Sequence, residues 1–80
     1  MKLPRDISAQ ELIKALFPLG YRTTRQTGSH VRISTDQNGQ HHETIPAHSP
    51  LKVGTLSGIL KSVAAHHRIS VEDLLHRLEL

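Results

Sequence analysis

The sequence predicts a small α+β domain: three antiparallel strands in one sheet, helices on one of its faces, in the order α-β-β-β-α-α. Three observations carry this prediction. A helix-start signature, Ser8-Ala9-Gln10-Glu11, stands near the beginning of the chain. Three short strand-like runs follow, separated by the turn-forming pairs Thr27-Gly28 and Asn38-Gly39. An apolar stripe at helical spacing then begins near Val53, and a second helix-start signature stands at Ser70.

Met1 to Asp6 reads as a lead-in. Ser8 is placed to cap the first helix, and Glu11 completes a capping box three residues on. Ile7 and Leu12 flank that cap at the positions of a hydrophobic staple. Leu12, Ile13, Leu16 and Leu19 form the apolar stripe. Pro18 lacks the backbone donor that a helix end uses. The last turn is therefore expected to be distorted or 3₁₀, with Gly20 as its stop.

Tyr21-Arg22-Thr23-Thr24-Arg25-Gln26 reads as an exposed strand. Thr27-Gly28 turns the chain into a second strand, His30 to Thr35. Period-2 geometry puts Val31 and Ile33 on one side of the sheet and His30, Arg32 and Ser34 on the other. Asp36-Gln37-Asn38-Gly39 is a hairpin turn, because Asn-Gly accepts the positive φ such turns require. His41 to Ile45 is the third strand, ended by Pro46. Connections this short make all three strands antiparallel.

Ala47 to Lys52 is a loop. The second helix is expected from Val53 or Gly54, burying Val53, Leu56, Ile59, Leu60, Val63 and Ala64. His66-His67-Arg68 interrupts the stripe. Ser70 then caps a third helix, with Asp73 at the third position and Ile69 against Leu74 as staple. Val71, Leu74, Leu75 and Leu78 line its inner face.

Eighty residues make one domain, residues 1–80, with one small core. A chain this short buries only about 60% of its unfolded surface. With one Phe, one Tyr and no Trp, the core must be aliphatic. That composition offers no aromatic platform for stacking bases, which argues against single-strand binders of the RRM or OB type. Ten Lys+Arg against seven Asp+Glu give a net charge of +3, which favours an anionic partner. The absence of cysteine excludes disulfides, thiolate zinc sites and cysteine nucleophiles. No apolar run approaches the ~20 residues of a membrane span. No hydrophobic secretory region is visible at the N-terminus, so a cytoplasmic location without membrane contact is expected.

The stretch that carries chemistry is Gly28-Ser29-His30-Val31-Arg32-Ile33-Ser34. It sets an imidazole beside a guanidinium and a hydroxyl, just after a turn. Histidine gives or takes a proton near neutral pH. Gly28 leaves room for the close approach of a backbone or ligand, and the layout allows Arg25, Arg32 and Lys52 to lie nearby. The plainer alternative is a polar residue on the solvated face of a strand. His41, His42, His48, His66 and His67 invite a metal reading. Adjacent strand histidines point to opposite faces, however, and no H-x-x-x-H or carboxylate spacing completes a site. No metal and no cofactor is expected. Lys52-Val53-Gly54-Thr55 is either a phosphate seat at a helix N-terminus or an ordinary cap by Thr55, and both readings stand. Glu72 and Asp73 are first-turn carboxylates that suit the helix dipole.

Taken together, these features resemble the HicA family of bacterial and archaeal toxins. The matching stretches are Glu11-Leu12-Ile13-Lys14-Ala15-Leu16 with Gly20-Tyr21, then Gly28-Ser29-His30, then Ile45-Pro46-Ala47-His48. The longest is Leu51-Lys52-Val53-Gly54-Thr55-Leu56-Ser57-Gly58-Ile59-Leu60-Lys61. The resemblance implies a fold like that of double-stranded-RNA-binding domains and an endoribonuclease that cleaves mRNA and is halted by a HicB-like antitoxin. It implies that His30 is the catalytic residue. Ser29, Arg25, Arg32 and Lys52 are then the candidate RNA contacts, and cleavage is expected to need no metal. His48 is the best remaining second proton-transfer group. The chain departs from its relatives at His66-His67-Arg68, where they often carry a small residue and a glycine, and at Pro18. The alternative is a non-catalytic RNA-binding module of the same fold, which would tolerate loss of His30. A third class is a protein-interaction domain whose basic face docks an acidic partner.

Overall fold

The computed structural model describes residues 3–80; Met1 and Lys2, at the head of the expected lead-in, lie outside the described residues. Helix α1 spans Ala9–Ala15 and is followed by a 3₁₀ turn, Phe17–Leu19. Strands β1 (Arg22–Thr27), β2 (His30–Thr35) and β3 (His41–Pro46) come next, then α2 (Val53–His67) and α3 (Val71–Leu78). The predicted element order is therefore the observed one.

The start of α1 forms as its sequence dictates. Ser8 Oγ accepts from the Glu11 N–H at 3.1 Å, and Glu11 Oε1 accepts from the Ser8 N–H at 3.2 Å. Two of the helix's first donors are thereby satisfied. Ile7 and Leu12 are both buried beside that cap. Pro18 has the predicted effect: α-helical geometry stops at Ala15, the chain tightens to 3₁₀, and Gly20 ends the turn at φ +85°.

Gly20 has a second constraint. A Cβ there would lie 2.6 Å from Thr35 Oγ1. That hydroxyl is buried and fixed, donating to Leu19 O at 2.7 Å and accepting from Gln37 N–H at 3.1 Å. Gly20→Ala therefore meets both a left-handed backbone and a neighbour that cannot retreat. The expected loss is about 1–3 kcal/mol, read as a lower midpoint in denaturant or heat.

The sheet has the order β1-β2-β3, antiparallel throughout. Gly28 is the first of the two residues linking β1 to β2, and only it has positive φ (+55°), the pattern of type II′ hairpins. An added Cβ would meet nothing within 4 Å. The glycine serves the turn, and no protein backbone packs against it. Along β2, Val31, Ile33 and Thr35 are buried while His30 and Arg32 are exposed, as period 2 requires. All three helices share one core cluster with that buried side of the sheet. The opposite face of the sheet is left open.

Four expectations are corrected. Tyr21 is not exposed: it precedes β1 and is fully buried, because its hydroxyl finds partners in the core. Val53 is 55% exposed, since the buried stripe of α2 starts one turn later at Leu56. Thr55 is not the cap of α2. Lys52 holds that position and makes no side-chain cap bond. Finally, α2 runs through His66 and His67 and ends at Arg68, which takes φ +57°. Arg68 N–H donates to Ala65 O and Ile69 N–H to Ala64 O, the pairing of a Schellman end that glycine adopts at least cost.

Beneath α2 the histidines form a polar seam. Asn38 Nδ2 donates to His67 Nδ1 at 3.0 Å, so His67 carries its proton on Nε2 and donates to the Tyr21 hydroxyl at 3.2 Å. Tyr21 in turn donates to His41 Nδ1 at 2.7 Å. His41 Nε2–H then faces Ser62 Oγ at 3.2 Å, and Ser62 donates to Glu43. His66 stacks on His41 and donates through Nε2 to the carbonyls of Gln37 and Gly39, each at 2.9 Å. The end of α2 is thereby clamped to the β2–β3 turn.

Candidate functional site

The open face of the sheet is ordered in rows by strand register. His30 opens β2 with Thr27 and Pro46 as its cross-strand partners. The next row is Arg25, Arg32 and Thr44. Beyond it lie Arg22, Ser34 and His42. Directly opposed residues share a face, so His30, the three arginines, Ser34 and His42 all belong to the open side. His41 and His42 do point to opposite faces, His41 into the seam and His42 onto Ser34.

His30 is exposed, and among the described residues its side chain makes no hydrogen bond. The imidazole is thus unconstrained by the fold. Ser29, also exposed, holds the turn by its backbone: its carbonyl accepts from Ala47 N–H at 2.6 Å. That bond ties the Gly28-Ser29 turn to the loop leading to α2. His48 and Lys52 sit on that loop, where they share a small concavity of about 180 Å³ with Pro46, Leu51 and Thr55. Pro46 is the register partner of His30, so the loop and the turn meet at one end of the sheet.

The structure therefore divides the sequence-predicted residues. Arg25 and Arg32 are direct cross-strand partners in the row beside His30. Lys52 and His48 are grouped beyond Pro46, at the end of the sheet. One residue on this face was missed from the sequence, His42 as an open-face imidazole, and with it the partner of Ser34, which the sequence had already put on this side. Ser34 Oγ and His42 Nδ1 are 2.5 Å apart. Their sequence separation conveys nothing, because only the β2–β3 register brings them together.

The face is strongly cationic. Among the described residues the one ion-pair contact, His41 with Glu43 at 3.3 Å, lies on the core side. The three open-face arginines have no carboxylate partner there. Arg22 is held in place: its Nη1 donates to Tyr21 O at 3.1 Å, and its guanidinium lies 3.6 Å from the Phe17 ring centroid. No group of three or more His, Cys, Asp or Glu able to hold one metal ion occurs among the described residues. No helix among them is long and apolar enough to cross a membrane.

A family model described as the HicA toxin of bacterial toxin-antitoxin systems matches residues 9–64. The match runs from α1 into the last turn of α2 and includes Gly28-Ser29-His30 and the Leu51–Lys61 stretch. No curated protein and no solved structure matches the chain.

Proposed function

The chain belongs to the HicA toxin family, and from that premise we propose that it is an endoribonuclease toxin of 80 residues, one HicA-like domain, that cleaves mRNA and is silenced by a HicB-like antitoxin. One observation supports this reading most: His30 stands exposed on the open sheet face, one row from the opposed pair Arg25 and Arg32, inside the stretch that matches the family.

The chemistry follows from these groups. The RNA 2′-oxygen attacks the adjacent phosphorus, a new P–O bond forms, and the bond to the 5′-oxygen of the next nucleotide breaks. The 2′-hydroxyl gives up one proton, and the departing oxygen takes one. His30 performs one of these transfers, a contribution of about 10² to 10⁴ in rate. Arg25 and Arg32 offset the charge that builds on the phosphorane oxygens. Ser29 and Lys52 hold the strand at the end of the sheet. His48, beside Lys52, is the second proton-transfer candidate. The balance of atoms leaves a 2′,3′-cyclic phosphate on one fragment and a 5′-hydroxyl on the other.

Expression of the wild-type chain in a host lacking the antitoxin tests this directly. Growth should stop and mRNA should fragment, while the His30→Ala chain should do neither. Growth arrest by both chains, or intact mRNA during wild-type arrest, would count against the reading.

An antitoxin must cover His30, and an acidic surface associates fastest with this cationic face. We expect the complex to protect His30 from diethyl pyrocarbonate, with the label mapped by mass spectrometry. Equal labelling of His30 in the free and bound toxin would exclude that mode of inhibition.

A further inference from the structure

The open face holds a second feature besides His30. Arg22, Arg25, Arg32, Ser34 and His42 wall a concavity of about 480 Å³. A β-bulge between Thr23 and Arg25 helps to shape it, since a bulge bends its strand and re-aims the side chains beside it. Thr24 Oγ1 sits at the bulge, 3.3 Å from both Arg32 O and Ser34 Oγ.

Three properties of this concavity point to its ligand. Arg22 stands in the row farthest from His30, its guanidinium fixed by Tyr21 O and the Phe17 ring and, among the described residues, without a carboxylate partner. Besides its arginines, the concavity's donors are hydroxyls, an imidazole and the Gln40 carboxamide, groups that bind phosphate oxygens. Asp36 is the one acid in its lining, and no aliphatic side chain and no Phe, Tyr or Trp lines it. A protein partner would want an apolar anchor at the centre of its footprint, and this site offers none.

Position then separates this site from the cleavage site. His30 and Ser34 are four residues apart on one strand, about 13 Å at the rise of an antiparallel strand. No single phosphate spans that distance. We propose that this concavity is a remote phosphate subsite, in which Arg22 and the Ser34–His42 pair, the row farthest from His30, seat a backbone phosphate of the same RNA strand whose cleaved bond lies at His30. This inference rests on the ribonuclease reading and adds a direction to it: the strand runs along β2, from the Gly28-Ser29 turn toward the β2–β3 turn. Binding energy from a remote subsite also anchors the reacting phosphate in place.

The test uses the full chain carrying His30→Ala, so that RNA is bound and not cut. Affinity for single-stranded RNA oligonucleotides of stepwise increasing length is measured across a salt series. It should rise in a step once the oligonucleotide is long enough to reach from His30 to His42. Arg22→Gln and His42→Gln should each remove that step while leaving the shortest oligonucleotides unaffected. Arg22→Gln should also lower the salt slope by about 0.7, the value of one lost phosphate contact on a single strand. Arg77→Gln, at an exposed position of α3, removes the same charge away from this face and should change neither property. His42→Gln keeps the test sound if Arg22→Gln loses its packing on Phe17 and unfolds.

A wild-type length step in folded His42→Gln and Arg22→Gln chains overturns the subsite and leaves the ribonuclease reading intact. Loss of antitoxin binding with unchanged RNA affinity overturns it in favour of a protein contact. Absence of RNA binding at every length, with no cleavage by the wild-type chain, overturns both.

Discussion

Replacing His30 with Ala is expected to lower the rate of RNA cleavage by about 10² to 10⁴ while leaving the fold unchanged. The two halves of this expectation have separate causes. His30 is exposed at the first position of β2, and among the described residues no side-chain hydrogen bond depends on it. The residues that hold β2 are Val31, Ile33 and Thr35 on the other face. Stability should therefore stay within about half a kcal/mol, as it usually does for surface changes. The rate loss comes from removing the group that moves a proton in the transition state. Thermal midpoint and single-turnover cleavage, measured on one preparation, read both halves. An unfolded variant would make His30 structural. A folded variant that cleaves at the wild-type rate would place the chemistry elsewhere or make the chain a binder.

The second large effect is expected under α2, where stability should fall on acidification and on loss of one oxygen. Burial holds the pKa of His41 below its ordinary value of 6.5, aided by His66 and His42 and opposed by Glu43. Burial also lowers that of His67, with further lowering from His66, His41 and Arg77. The Tyr21 phenol is pushed up by burial and by Glu43, so it remains a donor at every pH considered. As pH falls through 6.5 the unfolded chain takes up protons at these histidines before the folded chain does. Their contribution is thus complete above that pH and lost progressively below it. Protonating His41 also turns Nδ1 into a donor facing the oxygen that donates to it, which breaks the directional chain. Tyr21→Phe removes that oxygen outright and leaves two ring nitrogens unpaired, at an expected cost of about 1–3 kcal/mol. In a domain of this size each kcal/mol lowers the thermal midpoint by roughly 4–8 °C. A Tyr21→Phe midpoint equal to wild type, or a wild-type midpoint flat from neutral to mildly acidic pH, would contradict this role for the seam.

This seam also marks the limit of what local pattern conveys. The Ser8–Glu11 box, the 3₁₀ turn at Pro18 and the face of His30 were legible because each depends on residues within a few positions. Tyr21 was misread because its partners, His41 and His67, lie 20 and 46 residues away. Among Arg and Thr, a tyrosine follows the exposed-strand pattern, and its hydroxyl gives no sign of a distant acceptor. His66-His67 was read as a break for a related reason. An imidazole counts as polar in a helical stripe, yet His67 is buried because Asn38 and Tyr21 satisfy both of its nitrogens. On the open face, the alternation along β2 placed His30, Arg32 and Ser34 together. His42 needed the register of β3, which depends on where the turn after Thr35 ends.

The proposed mechanism rests on the RNA 2′-oxygen as nucleophile and on protein side chains for proton transfer. The most direct measurement incubates the wild-type chain, in excess chelator, with one sequence prepared as an RNA strand and as a DNA strand. The expected result is cleavage of the RNA to fragments ending in 2′,3′-cyclic phosphate, with the DNA intact. Cleavage of the DNA strand, RNA fragments released with free 3′-hydroxyls, or loss of RNA cleavage in chelator would contradict it.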